Sequence, residues 1–167
     1  MVTRVIPVEV FDLVIFGGTG DLARRKILPG LFRRFCAGQM PRESRIIGAA
    51  RSDLDQAGYQ DMVRDAIAEF GSERTKDCPD LKAFLAQLDY VKIDARGDDG
   101  WAQLSGMVRP DVVHAYYFSV GPGLFGDIAE RLRQYGLADD KSRIVVEKPF
   151  GKNLDSARSL NQTLAAY

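Results

Sequence analysis

Phe11-Asp-Leu-Val-Ile-Phe16 runs directly into Gly17-Gly-Thr-Gly-Asp-Leu-Ala-Arg24, and this passage decides the fold. The first six residues are rich in Val, Ile and Phe and read as a buried strand. The glycine turn leads into residues with helical spacing: Ile27, Leu28, Leu31, Phe32 and Phe35. A strand, a turn of bare backbone and a helix start together make a seat for phosphate. Backbone N–H groups approach an anion only where side chains are absent, and the positive end of the helix dipole favours negative charge there. The chain is therefore expected to hold a nucleotide.

Outward from this point the same alternation repeats. Further strand-like runs are Ser44 to Ala50, Leu88 to Asp94, Val112 to Ser119 and Arg143 to Glu147. The third of these alternates in character and is expected to be less buried. Between them lie helical spacings at Met62, Val63, Ala66, Ile67 and Phe70, at Leu81, Phe84, Leu85 and Leu88, and at Phe125, Ile128, Ala129 and Leu132. Such alternation indicates βαβ units, and right-handed crossovers then give a Rossmann-like α/β fold, a doubly wound parallel sheet with helices on both faces. Pro29 conflicts with a plain helix over 22–37. Either a short turn follows the glycines and a new helix begins near Leu28, or the helix bends there. The final stretch, Leu154 to Tyr167, is helical by composition, with Asn153 or Asp155 as its cap.

Composition narrows the function classes. The 167 residues form one domain, long enough for a substantial core. Lys plus Arg and Asp plus Glu balance at 23 each, which gives no electrostatic case for binding nucleic acid or an anionic membrane. No apolar run reaches the roughly 18 residues of a membrane span, and Met1 to Val10 lacks the apolar segment of a secretory signal. Cys36 and Cys78 have no ligand-like spacing and read as reduced cytoplasmic thiols, with neither a disulfide nor a metal site expected.

The turn has the spacing Gly17-x-x-Gly20-x-x-Ala23, which departs from G-x-G-x-x-G while keeping the turn bare through Gly17, Gly18 and Gly20. The small Ala23 permits close helix–sheet packing, and Thr19 adds a hydroxyl. Without a ligand the same glycines would make an ordinary tight turn. Arg24, Arg25 and Lys26 face either a phosphate or solvent, and Arg24 is placed beside the ligand. At the tip of the second strand, Gly48-Ala-Ala-Arg51-Ser52 carries no carboxylate. An acidic residue there would accept hydrogen bonds from the ribose 2′-hydroxyl and repel a 2′-phosphate, whereas an arginine does the reverse. Arg51 therefore points to NADP, with some NAD use left open by the neighbouring Asp53; its bland alternative is a surface charge.

Topology brings further residues to the same edge. Asp94 is expected near the adenosine and Ser119 near the pyrophosphate or nicotinamide. Glu147-Lys148-Pro149-Phe150-Gly151 follows the fifth strand. Lys148 is either a donor to sugar, phosphate or nicotinamide or a solvated turn residue. His114, the single histidine, lies inside a strand and reads as a core residue.

In sum these segments resemble the N-terminal coenzyme domain of the glucose-6-phosphate dehydrogenase family. The resemblance is carried by Gly17 to Pro29, Gly48 to Ser52, Tyr117 to Pro122 and Arg143 to Gly151, with Leu154-Asp-Ser-Ala157 and Leu160-Asn161. It extends from about residue 11 to the end; Gly-Asp-Leu-Ala and Glu-Lys-Pro-Phe-Gly in this order are its specific marks. It implies that Gly17, Gly18, Thr19, Gly20, Asp21, Leu22, Ala23 and Arg24 hold the NADP pyrophosphate. It implies that Arg51 takes the 2′-phosphate and that Lys148 meets both coenzyme and glucose 6-phosphate. The implied reaction is hydride transfer from C1 of the sugar to the nicotinamide, giving a 6-phosphoglucono-lactone in the pentose phosphate pathway. A homo-oligomer is implied for the full-length protein. Two positions depart from the family: Gly121-Pro122 replaces a Pro-Pro pair, and Phe125 replaces a tyrosine. The family's second domain, with its Asp-His-Tyr-Leu-Gly-Lys segment and its catalytic histidine, is absent from these residues. The expectation is an N-terminal part with no catalytic residue of its own.

Three alternatives stand beside this. A Gfo/Idh/MocA-type sugar oxidoreductase shares Glu-Lys-Pro but usually has the plain glycine turn. A short-chain reductase needs Tyr-x-x-x-Lys, and no tyrosine here has lysine four residues on. A non-catalytic NADP-sensing module would need only the coenzyme site.

Overall fold

The computed structural model describes residues 9–138 and 142–146. Five strands, β1 (Phe11–Phe16), β2 (Arg45–Ala50), β3 (Leu88–Lys92), β4 (Val113–Phe118) and β5 (Arg143–Val146), form one sheet in the order β3-β2-β1-β4-β5. Every pairing is parallel; Phe16 lies opposite Ala49 on one side and Phe118 on the other. The helices are α1 (Leu28–Cys36), α2 (Gln56–Phe70), α3 (Leu81–Ala86), α4 (Trp101–Met107) and α5 (Phe125–Gln134). The doubly wound α/β fold is present, and each strand coincides with its predicted run to within two residues. α4 was not legible as a helix, since its seven residues contribute only Trp101 and Leu104 to the core.

Alternation along β1 divides the core. Leu13 and Ile15 face one way, onto Phe32, Phe84 and Tyr59 of α1, α3 and α2. Val14 and Phe16 face the other, onto Trp101, Leu104 and Ile128 of α4 and α5. Although at the sheet edge, β3 buries Leu88, Tyr90 and Val91, contrary to the expectation of a less buried strand, because α2 and α4 cover its two faces. Half-buried residues of β4 and exposed residues of β5 line a groove of about 860 Å³ with Phe11, Leu13 and Ile27. It lies over β1, β4 and β5, and no residue of the glycine turn lines it.

Pro29 is accommodated without a break. A widened π-type turn, Ala23–Ile27, leads into α1, with the Leu28 N–H donating to the Ala23 carbonyl. The wide turn relieves the clash between a proline ring and the preceding turn.

The expectation of reduced cysteines is corrected. Cys36, the last residue of α1, is disulfide-bonded to Cys78 in the turn before α3, with Cα atoms 6.3 Å apart. The pair is 42 residues apart in sequence, and packing of α1 against α3 brings it together, which spacing along the chain does not reveal. The isolated thiols had argued for a reducing compartment; that argument falls with them.

At the amino edge of the sheet Asp12 is fully buried. It accepts from the Arg109 backbone N–H and from its Nη2, each at 2.7 Å. His114 is a core residue as expected, with Nε2 2.6 Å from the Arg109 carbonyl. No helix among the described residues is long and apolar enough to cross a membrane.

Candidate nucleotide-binding site

The carboxyl ends of β1, β2, β3 and β4 enclose a cleft of about 410 Å³. Gly17, Thr19, Arg51, Ser52, Asp94 and Arg96 line it, together with apolar side chains from the segment after β3 and from α5. This is where an open α/β sheet binds ligands: the strand order reverses between β1 and β4.

The first turn depends on two glycines. Gly17 has φ +82°, and a β-carbon on it would lie 2.2 Å from the Ser119 carbonyl oxygen. Its N–H donates to the Ala49 carbonyl at 2.8 Å, and Gly20 N–H closes the turn onto Gly17 O at 2.9 Å. Gly18 lies against Gly48 of β2, where a β-carbon would come within 3.0 Å of Gly48 Cα. A helix starts at Asp21, so its first-turn N–H groups lack intrahelical acceptors. A bare cradle at a helix start fits a pyrophosphate.

The predicted site residues separate into groups. Gly17, Thr19, Arg51 and Asp94 share the cleft. Thr19 Oγ1 and Ser52 Oγ are 3.1 Å apart, tying the glycine turn to the tip of β2 beside Arg51. Ser119 adjoins the cleft behind Gly17; its Oγ is buried and has no partner among the described residues. Gly18 and Gly20 shape the turn, while Ala23 is fully buried against the sheet and Leu22 packs on the same core. Asp21 and Arg24 are exposed outside the cleft lining, and Asp21 pairs with Arg25 Nε at 2.7 Å. Asp53 points away, with its carboxylate 4.0 Å from Lys92 Nζ and 94% of its side chain exposed. Lys148, Pro149 and the predicted helix over 154–167 lie outside the described residues. Phe125 packs its ring on Phe118 at 5.2 Å, inside the core.

Asp94 organises the wall it stands in. Its carboxylate accepts from Arg96 N–H at 3.0 Å, and its carbonyl accepts from Trp101 Nε1 at 2.9 Å.

Two tyrosines that sequence reasoning passed over hold the site from beneath. Tyr59 donates to the Gly18 carbonyl, and Tyr90 donates to Ser52 O at 2.6 Å and Ala50 O at 3.2 Å. Their rings are tilted together at 5.2 Å. Burial pushes both phenols above the ordinary tyrosine value. As apolar-face aromatics in the sequence they looked like any other core residue; Gly48, which leaves room for the Tyr59 ring, was the available signal.

Residues 14–167 match the family model described as glucose-6-phosphate dehydrogenase, NAD binding domain. The chain belongs to the glucose-6-phosphate dehydrogenase family. A glucose-6-phosphate 1-dehydrogenase of Rhizobium meliloti is 42% identical over 166 residues, covering 98% of this chain and 34% of that protein. The crystal structure of glucose-6-phosphate 1-dehydrogenase from Mycobacterium avium superposes with a TM-score of 0.81 at 34% identity, covering 95% of this chain and 34% of that one. A glucose-6-phosphate dehydrogenase in complex with glucose 6-phosphate gives a TM-score of 0.78 at 28% identity, covering 99% and 35%. The chain thus spans about a third of the length of the relatives it matches. These matches do not favour the Gfo/Idh/MocA, short-chain reductase or sensor alternatives, and they assign the domain to a nicotinamide dinucleotide.

Proposed function

We propose that this chain is the coenzyme-binding part of an enzyme that oxidises glucose 6-phosphate to 6-phosphoglucono-lactone, with NADP as its preferred acceptor. One observation carries the coenzyme choice: Arg51 stands at the tip of β2, in the cleft that holds the Gly17 turn, while Asp53 is turned toward Lys92. Among the described residues no carboxylate lies within ion-pair distance of Arg51, so its guanidinium is available to a phosphate.

When bound, the nicotinamide ring accepts hydride. The residues of this chain bind and orient. The glycine cradle and helix start take the pyrophosphate, Thr19 and Ser52 with Arg51 take the 2′-phosphate, and Ser119 Oγ offers an unspent hydrogen bond beside Gly17. Lys148 is assigned to glucose 6-phosphate and coenzyme on family resemblance alone. The sugar hydroxyl must also lose a proton to a base. His114 is not that base, because it is buried in the strand layer and bonded to the Arg109 carbonyl. The 167-residue chain is expected to bind coenzyme without appreciable turnover.

Calorimetric titration with NADP and NAD tests this. Arg51→Ala is expected to weaken NADP by about tenfold or more and NAD by less than about twofold. Equal effects on both coenzymes would remove the case for NADP, and rapid NADPH formation by the chain alone would remove the case for an external base.

A further inference from the structure

We propose that Arg96 is the adenine-facing wall of this cleft, laying its guanidinium plane on the purine ring of the bound dinucleotide. This role presupposes the dinucleotide site proposed above. Arg96 and Arg51 line the same cleft but are held by different elements. Arg51 stands on the tip of β2 with Ser52 and Thr19. Arg96 leaves the end of β3 and reaches toward the start of α5. There its Nε lies 3.6 Å from Asp127 Oδ2, and its Nη2 is 4.0 Å from the point where a β-carbon on Gly123 would stand.

Apart from Asp94 and the Gly17 turn, the remaining lining is apolar, and around Arg96 it includes Ile93, Ala95, Val120, Leu124 and Ile128. A flat ring with an apolar face suits such a lining, and a guanidinium stacks on an aromatic face. Charge separates the two arginines. The Asp127 carboxylate beside Arg96 disfavours a phosphate there, whereas no carboxylate among the described residues stands within ion-pair distance of Arg51. The base of Arg96 is fixed: its N–H donates to Asp94 Oδ1, and the Asp94 carbonyl is held by the fully buried Trp101. Asp127 is a positioning residue for the guanidinium.

The test titrates the wild-type chain, Arg96→Ala and Arg96→Lys with NADP, NAD and 5′-AMP, and follows the fluorescence of an etheno-adenine nucleotide on binding. Arg96→Ala is expected to weaken all three adenine ligands by the same factor, about three- to tenfold. Arg96→Lys should not restore affinity, because an ammonium offers no plane. The change in etheno-adenine emission seen with wild type should shrink in both variants. A loss confined to NADP, full recovery with lysine, or unchanged affinities in a folded Arg96→Ala would overturn the assignment while leaving the coenzyme site intact. A wild-type chain that binds none of these ligands would overturn the coenzyme site and this role together.

Discussion

The buried Tyr59 hydroxyl donates to the carbonyl oxygen of Gly18 at 3.1 Å. This contact couples the helix layer to the phosphate turn. Tyr59 is rooted in α2, and its ring fills the space that a β-carbon on Gly48 would enter, 2.3 Å from Tyr59 Cζ. Tyr59→Phe keeps the ring and leaves the Gly18 carbonyl without its donor. The expected cost is about 1–2 kcal/mol in urea unfolding. Coenzyme affinity should fall severalfold as the turn loosens. Unaltered affinity in a destabilised variant would confine Tyr59 to a packing role.

The same phenol makes stability depend on alkaline pH. Burial raises its pKa above the unfolded value near 10, so the folded state holds this proton more tightly than the unfolded chain. The stabilisation is complete below the unfolded pKa. It declines as pH rises above that value, by up to about 1.4 kcal/mol per pH unit for the one proton. Urea midpoints measured at pH 9 and pH 11 should drop more for wild type than for Tyr59→Phe. Parallel drops would show that Tyr59 titrates alike in both states.

Much of this was legible from the chain because local pattern and tertiary placement agree. The apolar run 11–16, the glycines after it and the small Ala23 have one consistent use: a buried strand, a tight turn and a close-packed helix. Arg51 was readable because the end of β2 has a fixed place in this topology. What escaped depends on long-range contacts. The Asp12–Arg109 pair spans 97 residues and the Tyr59–Gly18 bond 41. Arg96 in the sequence is one charged loop residue among several; its place beside the cleft depends on Asp127, far along the chain. Pro29 was ambiguous because a π-type turn satisfies both the helix and the proline.

The Cys36–Cys78 bond closes a loop of 42 residues that contains β2 and α2. On the chain-entropy model such a loop stabilises the folded state by about 4 kcal/mol. Reduction, or the double substitution Cys36→Ala with Cys78→Ala, is expected to lower the urea midpoint accordingly. Since the bond lies at the far end of α1 from the glycine turn, NADP affinity of the still-folded reduced chain should hold within about twofold. An unchanged midpoint after verified reduction would mean that this bond does not restrain the unfolded chain.

Asp12 and Arg109 offer the converse separation, stability without the site. The carboxylate is fully buried, and the arginine side chain retains 27% of its exposure. Arg109 also donates from Nη2 to the Glu43 carbonyl at 2.9 Å, so the pair joins β1, the loop before β4 and the loop before β2. Asp12→Ala removes the acceptor for the Arg109 backbone N–H and leaves the guanidinium without its carboxylate. Breaking a buried pair from one side costs about 3–5 kcal/mol; partial access of Arg109 to water brings the expected loss to about 2–3 kcal/mol. The pair lies at the amino edge of the sheet, four residues before Phe16 at the cleft. Coenzyme affinity at temperatures where the variant stays folded should therefore match wild type. A large affinity loss in folded Asp12→Ala would mean that strand β1 transmits strain along its length to the glycine turn.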